Sequence, residues 1–263
     1  MNFTVFLGGG RITSALIAGL RLAGYETPIV VHDRHLRKLQ QLKRQYSVEI
    51  EPNLSRAVGQ ASLLILAVRP DSLDELLKQM GRINRPVTAV SLAAGVPLAK
   101  LQTRLGPPVR WARAMPSPAC LRGTGLTAVA FERALSPAAR REVKKFFAKV
   151  GSVLELPESQ FDAFTVTYSP SHGYHTLATL ASVAEKLGLQ RKAALTAAAH
   201  ALADGILCWR ETRTSLRDLL DEAATPGGIA ATVMSSIDAA GYRRILERSL
   251  RRGLMRARKN AKN

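Results

Sequence analysis

The sequence predicts a doubly wound, parallel α/β sheet followed by an all-α domain, and three observations carry that reading. Short apolar runs alternate with helical patterns over roughly the first 157 residues, which is the order of elements that builds a parallel sheet covered by helices. Eleven of the 13 prolines fall at or before Pro157, and only Pro170 and Pro226 interrupt the rest, so the second part reads almost entirely as helix. A glycine cluster stands directly after the first apolar run, where a strand would turn into a helix.

Taken in order, the runs Phe3 to Leu7, Ile29 to Val31, Leu63 to Val68, Val87 to Leu92 and Val109 to Trp111 are strand-like, with helices between them. Leu126 to Ala130 and Ser152 to Leu156 are further strands on either side of a helix opened by Ser136, an N-cap residue, and Pro137, favoured at the first helical position. The first domain closes near Pro157, giving domains of 1–157 and 158–263. Apolar periodicity then predicts helices at about 159–167, 173–188, 191–210, 214–224, 228–240 and 242–258, several ended by Gly188, Pro226 or Gly241. The run LTAAAHALADGILCW is rich in small residues that let another helix approach, so it belongs in an interior or at a subunit interface.

Composition narrows the function. With 263 residues, 46% hydrophobic and 22% charged, the chain is globular, and no apolar run has the length of a membrane span. Cys120 and Cys208 lack any metal-ligand or disulfide-framework spacing, which fits a reducing cytoplasm. The formal charge of +18 raises nucleic acid as a partner, yet 23 basic and 10 acidic residues lie up to Pro157 and 15 and 10 beyond it, so the excess is spread over the chain. Nine basic residues from Arg243 onward, against Glu247 alone, read as a solvated helix face. The charge suits long-range attraction of a small anionic ligand better than a nucleic-acid arm.

The glycine cluster supplies that ligand. Gly8 permits a tight turn, Gly10 removes the side chain where a pyrophosphate would approach, and the N–H groups at Arg11 and Ile12 open a helix whose dipole attracts negative charge. This is a Rossmann dinucleotide turn with Thr13 in place of its third glycine, which predicts a helix set slightly farther from the strand. Asp33, at the end of the second strand, can hold the ribose hydroxyls of NAD; its neighbours Arg34, Arg37 and Lys38 can surround a phosphate, so NADP is favoured over NAD. Three loops follow strands at the same sheet edge and should border the reactive end of the cofactor: Ala67-Val68-Arg69-Pro70, Ala93-Ala94-Gly95-Val96 and Arg113-Ala114-Met115-Pro116-Ser117-Pro118.

The blocks FLGGGRITSALIAGL, HDRHLRKLQQL, LILAVRPDSL, VSLAAGVPLAKL, RAMPSPA, GTGLTAV and ATPGGIAATV occur in an order that resembles the pyrroline-5-carboxylate reductase family across nearly the whole chain. The resemblance implies a Rossmann domain, an all-α dimerisation domain, a homodimer or higher oligomer, and hydride transfer from NAD(P)H to a cyclic C=N bond in proline synthesis. It assigns cofactor contacts to Gly8, Gly10, Arg11, Ile12, Arg34, Ala67, Val68, Arg69, Pro70, Ala93, Ala94, Gly95, Met115 and Pro116. Its substrate segments are rewritten here. The usual SGSGPAY becomes Tyr168 to Tyr174, and the usual SPGGTT becomes Thr225-Pro226-Gly227-Gly228-Ile229-Ala230, which removes both threonine hydroxyls.

Within those segments Ser169, Ser171, Thr225, Gly227, Gly228 and Ile229 are the substrate-binding candidates, and Tyr168, His172 and Tyr174 are the candidate proton donors. An imidazole can donate a proton near neutral pH, so His172 could serve as a general acid, or it could be a structural or exposed histidine. His172 and His175 have helical spacing but no supporting Cys, Asp or Glu, so no metal site is expected; Trp111 and Trp209 read as packing residues. Three functions stay open: the proline-pathway reductase, a reductase of another imine, and a catalytically silent NADP-binding protein with an acidic or nucleic-acid partner.

Overall fold

The computed structural model describes residues 3–212 and 214–262. Its first part alternates β1 (Phe3–Leu7), α1 (Arg11–Leu22), β2 (Ile29–His32), α2 (Leu36–Tyr46), β3 (Glu49–Ile50), α3 (Leu54–Gln60), β4 (Ala61–Leu66), α4 (Pro70–Met80), β5 (Val87–Ser91), α5 (Leu98–Arg104) and β6 (Val109–Pro116). A short 3-10 turn (Pro118–Arg122) leads into β7 (Gly125–Phe131), α6 (Pro137–Ala148) and β8 (Gly151–Glu155). The strands form one sheet in the order β3-β2-β1-β4-β5-β6-β7-β8. The doubly wound arrangement is therefore present, with its reversal between β1 and β4.

Alternation along the buried strands divides the core in two. Val5, Leu7, Leu64, Leu66, Ala89 and Trp111 face α3, α4 and α5, while Phe6, Ile65, Val90 and Ala112 face the other side, where α1, α2 and α6 contribute Leu16, Leu39 and Phe147. Trp111 is fully buried and its indole N–H donates to the Leu105 carbonyl at 2.7 Å, as expected of a packing residue. Ser136 caps α6 as its sequence predicts, its hydroxyl accepting from the Ala139 N–H at 3.2 Å.

The structure departs from expectation at three places in the sheet. The short β3 carries too few residues to show a period, and only its pairing with Val30 and Val31 marks it as a strand. The pair β6–β7 is antiparallel, because only the 3-10 turn joins the two strands and a parallel return needs a crossover of a dozen or more residues. Arg113-Ala114-Met115-Pro116, expected in a loop, continues β6 and pairs with residues 127–130. The charge of Arg113 hid this extension, since an apolar run ends at such a residue unless buried partners satisfy it.

After β8 the chain forms α7 (Glu158–Thr167), α8 (Pro170–Lys186), α9 (Arg191–Glu211), α10 (Leu216–Ala223), α11 (Ile229–Ala239) and α12 (Tyr242–Lys262). The chain folds as two compact units. The first holds the sheet, continues through Tyr168 and takes back the stretch from Gly253; the second spans Ser169–Arg252. The first unit thus extends beyond Pro157, because Phe161 of α7 is buried against Ala128 and Ala130 of β7. The last turns of α12 return to it as well, with Ala257 buried against Gly95.

In the second unit α8 and α9 pack together, and among its described residues only Ala181, Ala194 and Ala198 are buried. Trp209, expected to be a packing residue, is 44% exposed within this chain. No helix of the described residues is long and apolar enough to cross a membrane.

Candidate functional site

The strand order reverses between β1 and β4, and the carboxyl ends of the strands at such a reversal are where open α/β sheets bind ligands. Gly8 sits there at φ +108, and a Cβ on it would lie 2.7 Å from the Ala67 carbonyl oxygen, so both its conformation and the close approach of β4 demand glycine. Gly10, the N-cap of α1, is the opposite case. A Cβ there meets nothing within 4 Å, and no side chain caps the N–H groups of the first turn, which holds no acid. This is open space at a helix N-terminus of the kind a diphosphate needs, and Arg11 and Ile12 begin that turn.

Thr13, in the place of the third glycine, is fully buried, and its hydroxyl donates to the Gly8 carbonyl at 2.6 Å, so it ties α1 to the turn. The glycine that admits close packing lies farther along, at Gly19, where a Cβ would fall 2.0 Å from the Cys120 carbonyl oxygen of the 3-10 turn.

Beside the turn, the Asp33 carboxylate accepts N–H bonds from Gly9 and His35, each at 2.8 Å, with Lys38 Nζ 3.7 Å away. Arg34 and Arg37 are exposed next to it. Ala67 and Val68 border Gly8, whereas Arg69 is the N-cap of α4 with a solvated side chain and Pro70 is the first helical residue. After β5, the Ser91 hydroxyl accepts from the Ala93 N–H at 3.3 Å, and Gly95 turns at φ +77. Met115 and Pro116 end β6 at the same edge. Ser117 then caps the 3-10 turn, accepting from the Ala119 N–H, and Cys120 is buried there with its thiol pushed up by that burial. The first unit therefore gathers the whole set of cofactor candidates on one sheet edge.

Sequence reasoning missed what holds two of those loops. Asn260 Nδ2 donates to the Ala94 carbonyl at 3.2 Å, and the Ala257 carbonyl would stand 2.3 Å from a Cβ on Gly95, so the end of α12 lies directly against the Ala94-Gly95 loop. Arg113, 1% exposed, pairs with Glu158 at 3.3 Å and Asp162 at 2.7 Å, and Glu158 accepts the Leu98 N–H at 2.6 Å. No local pattern points to a contact spanning 166 residues; the acidic residues of α7 were the one available signal for a buried cation.

The remaining candidates separate between the units. Tyr168 ends the helical stretch of the first unit, and its hydroxyl accepts from the Leu126 N–H at 3.0 Å, which leaves its own proton available to donate. Ser169, Ser171, His172 and Tyr174 lie at the start of α8 in the second unit; the two serine hydroxyls are 2.7 Å apart, His172 is exposed and Tyr174 is 69% exposed. Thr225, Gly227 and Gly228 form the turn before α11, whose first residue, Ile229, is 86% exposed. No group of three or more metal-ligating side chains occurs among the described residues.

Residues 4–95 match a family described as NADP oxidoreductase, coenzyme F420-dependent, and residues 158–260 match one described as pyrroline-5-carboxylate reductase dimerisation. The pyrroline-5-carboxylate reductase of Thermus thermophilus is 30% identical over 262 residues, covering 94% of this chain and 96% of that protein. The same enzyme from Synechocystis is 29% identical over 256 residues, covering 95% of each. Among solved structures, pyrroline carboxylate reductase from Plasmodium falciparum with NADP bound superposes with a TM-score of 0.87 at 18% identity, over 99% of this chain and 98% of that one. The Streptococcus pyogenes enzyme gives 0.89 at 21% identity, over 98% of both chains.

Proposed function

Because the chain belongs to the pyrroline-5-carboxylate reductase family, we propose that it reduces the C=N bond of pyrroline-5-carboxylate to give proline, using NADPH. The observation that supports this best is the cofactor edge: a glycine turn open at Gly10, N–H groups without a side-chain cap at the start of α1, and the exposed basic side chains Arg34, just after β2, and Arg37, in the first turn of α2. A bound nicotinamide dinucleotide supplies a hydride. The chain's own residues bind and orient it: the Gly8 turn and α1 N-terminus take the diphosphate, Arg34 the adenosine end, and the 67–70, 93–95 and 115–116 segments border the nicotinamide.

An iminium substrate arrives already activated, so the protein need mainly position it and exclude water, and loss of the two threonines at 229 and 230 is compatible with turnover. Tyr168, His172 and Tyr174 are the proton donors we assign, with Ser169, Ser171 and the 225–229 turn as the substrate cradle. We further assign a homodimer. The second unit buries only three alanines among its described residues and leaves Val183, Leu187, Ile206, Leu207, Trp209 and Ile237 exposed, apolar surface that a second copy would cover. Cys120 and Cys208 are free thiols, which suits a cytoplasmic protein.

The departures at Tyr168 to Tyr174 and at Ile229 favour one second reading, a reductase of a different cyclic imine. NADPH oxidation measured with pyrroline-5-carboxylate and with a panel of cyclic imines separates the two. Turnover of pyrroline-5-carboxylate is the expected result; turnover confined to other imines selects the second reading; dinucleotide binding with no turnover of any imine sinks both.

A further inference from the structure

An acidic residue at the end of the second strand of a dinucleotide fold is ordinarily placed to accept hydrogen bonds from the adenosine ribose. Asp33 occupies that place, but both of its oxygens are turned toward the protein. Oδ2 accepts the Gly9 N–H and Oδ1 accepts the His35 N–H, each at 2.8 Å, and the side chain is only 10% exposed. Lys38 Nζ stands 3.7 Å from Oδ2 and His35 Nδ1 3.8 Å from Oδ1. The carboxylate is also packed against the turn. A Cβ on Gly9 would lie 3.5 Å from both Asp33 Cβ and Oδ2, and 3.2 Å from Leu42 Cδ1.

Burial on its own would raise the Asp33 pKa, but the two N–H donors together with Lys38 and His35 outweigh it and hold the group below its ordinary value. The side chain therefore stays charged at neutral pH, with its charge spent on Gly9, on the His35 N–H that opens α2, and on Lys38. A phosphate placed nearby meets a carboxylate already paired with two N–H donors and a lysine.

We propose that Asp33 is a positioning residue that fastens the middle of the phosphate turn to the start of α2 and does not read the adenosine ribose, leaving the choice between NADP and NAD to the exposed basic side chains beside it. The assignment rests on the dinucleotide-binding reading above and deepens it. Its consequence is specific: losing the carboxylate loosens a turn that both dinucleotides share, whereas losing a ribose reader would penalise NAD alone.

The test is equilibrium binding of NADPH and NADH to the full chain, wild type against Asp33→Ala, alongside hydrogen exchange of the Gly9 amide in the ligand-free protein. Loss of a charged hydrogen bond to the turn should weaken both dinucleotides by about tenfold, keep their ratio within about twofold and speed Gly9 exchange. Arg34→Ala should instead weaken NADPH alone. If Asp33→Ala fails to fold, Asp33→Asn retains one acceptor oxygen and should weaken both ligands by a smaller, equal factor. A selective loss of NADH, a gain in NADPH binding, or no change with either ligand overturns the assignment. Wild-type protein that binds neither dinucleotide overturns the cofactor reading and the assignment with it, an outcome distinct from a shifted ratio.

Discussion

Replacing Arg113 with Met separates the contribution of a buried cation from that of the volume it fills. The guanidinium lies 3.3 Å from Glu158 Oε1 and 2.7 Å from Asp162 Oδ1, with its central carbon 4.4 Å from the centroid of the Phe161 ring. Through Glu158, which also accepts the Leu98 N–H, one side chain ties β6 to α7 and to the start of α5. Methionine fills much of the same space, so the main loss is compensation for two carboxylates. Removing one member of a buried ion pair costs about 3–5 kcal/mol; Glu158 and Asp162 are 34% and 29% exposed, so solvent takes over part of that role and about 2–3 kcal/mol is expected. At about 2–4 °C per kcal/mol for a chain of this size, Tm should fall by about 4–12 °C in a thermal melt followed by circular dichroism. The triple variant Arg113→Met, Glu158→Gln, Asp162→Asn should recover roughly half of the loss, since neutral amides do not need the cation. A single variant melting within about 2 °C of wild type, or a triple variant no better than the single, would refute the reasoning.

Gly95→Ala and Gly24→Ala form a matched pair: both glycines have positive φ, but a Cβ at Gly24 meets open space while one at Gly95 meets the Ala257 carbonyl. Each should lose about 1–2 kcal/mol to the left-handed backbone, and Gly95→Ala should lose more because the end of α12 must move; equal urea midpoints would contradict the α12 contact. Thr13→Val removes the bond to the Gly8 carbonyl and should cost about 1–2 kcal/mol by urea unfolding, while Thr13→Ser stays closer to wild type; the opposite order would show that the methyl matters more than the hydroxyl. The pKa of Asp33 is lowered on folding, so its contribution to stability is present above its unfolded-state pKa and is lost as pH falls through its folded-state pKa. The stability gap between wild type and Asp33→Asn should therefore be widest near neutral pH and shrink on acidification, and a gap that stays constant across the acid range would contradict it.

Local pattern was enough for most of the sheet. A buried parallel strand is a short apolar run, and Phe3–Leu7 and Val87–Ser91 are such runs. It failed where a residue's meaning depends on something distant. Arg113 reads as the end of a strand until Glu158 and Asp162 arrive from α7, and Thr13 reads as a poor glycine until its hydroxyl finds the Gly8 carbonyl. The sheet edge that carries the cofactor candidates was legible because its glycine turn is made from consecutive residues at a strand–helix junction. Its bracing was not, because Asn260 and Ala94 are brought together only by the complete fold.

The helical unit shows the other side of this limit. Apolar periodicity reveals where helices lie and which face is apolar, but it is silent on whether that face meets the same chain or another. The small-residue run in α9 predicted close approach by a helix, and α8 packs against α9 while Ala198 of the run is buried, yet Ile206, Leu207 and Trp209 on the same helix remain exposed. A unit whose described residues bury three alanines has little core of its own to offset the conformational entropy of ordering five helices. The exposed cradle candidates Ser171, Tyr174 and Ile229 belong to this same unit. Their exposure in a single chain follows from the same shortage of core.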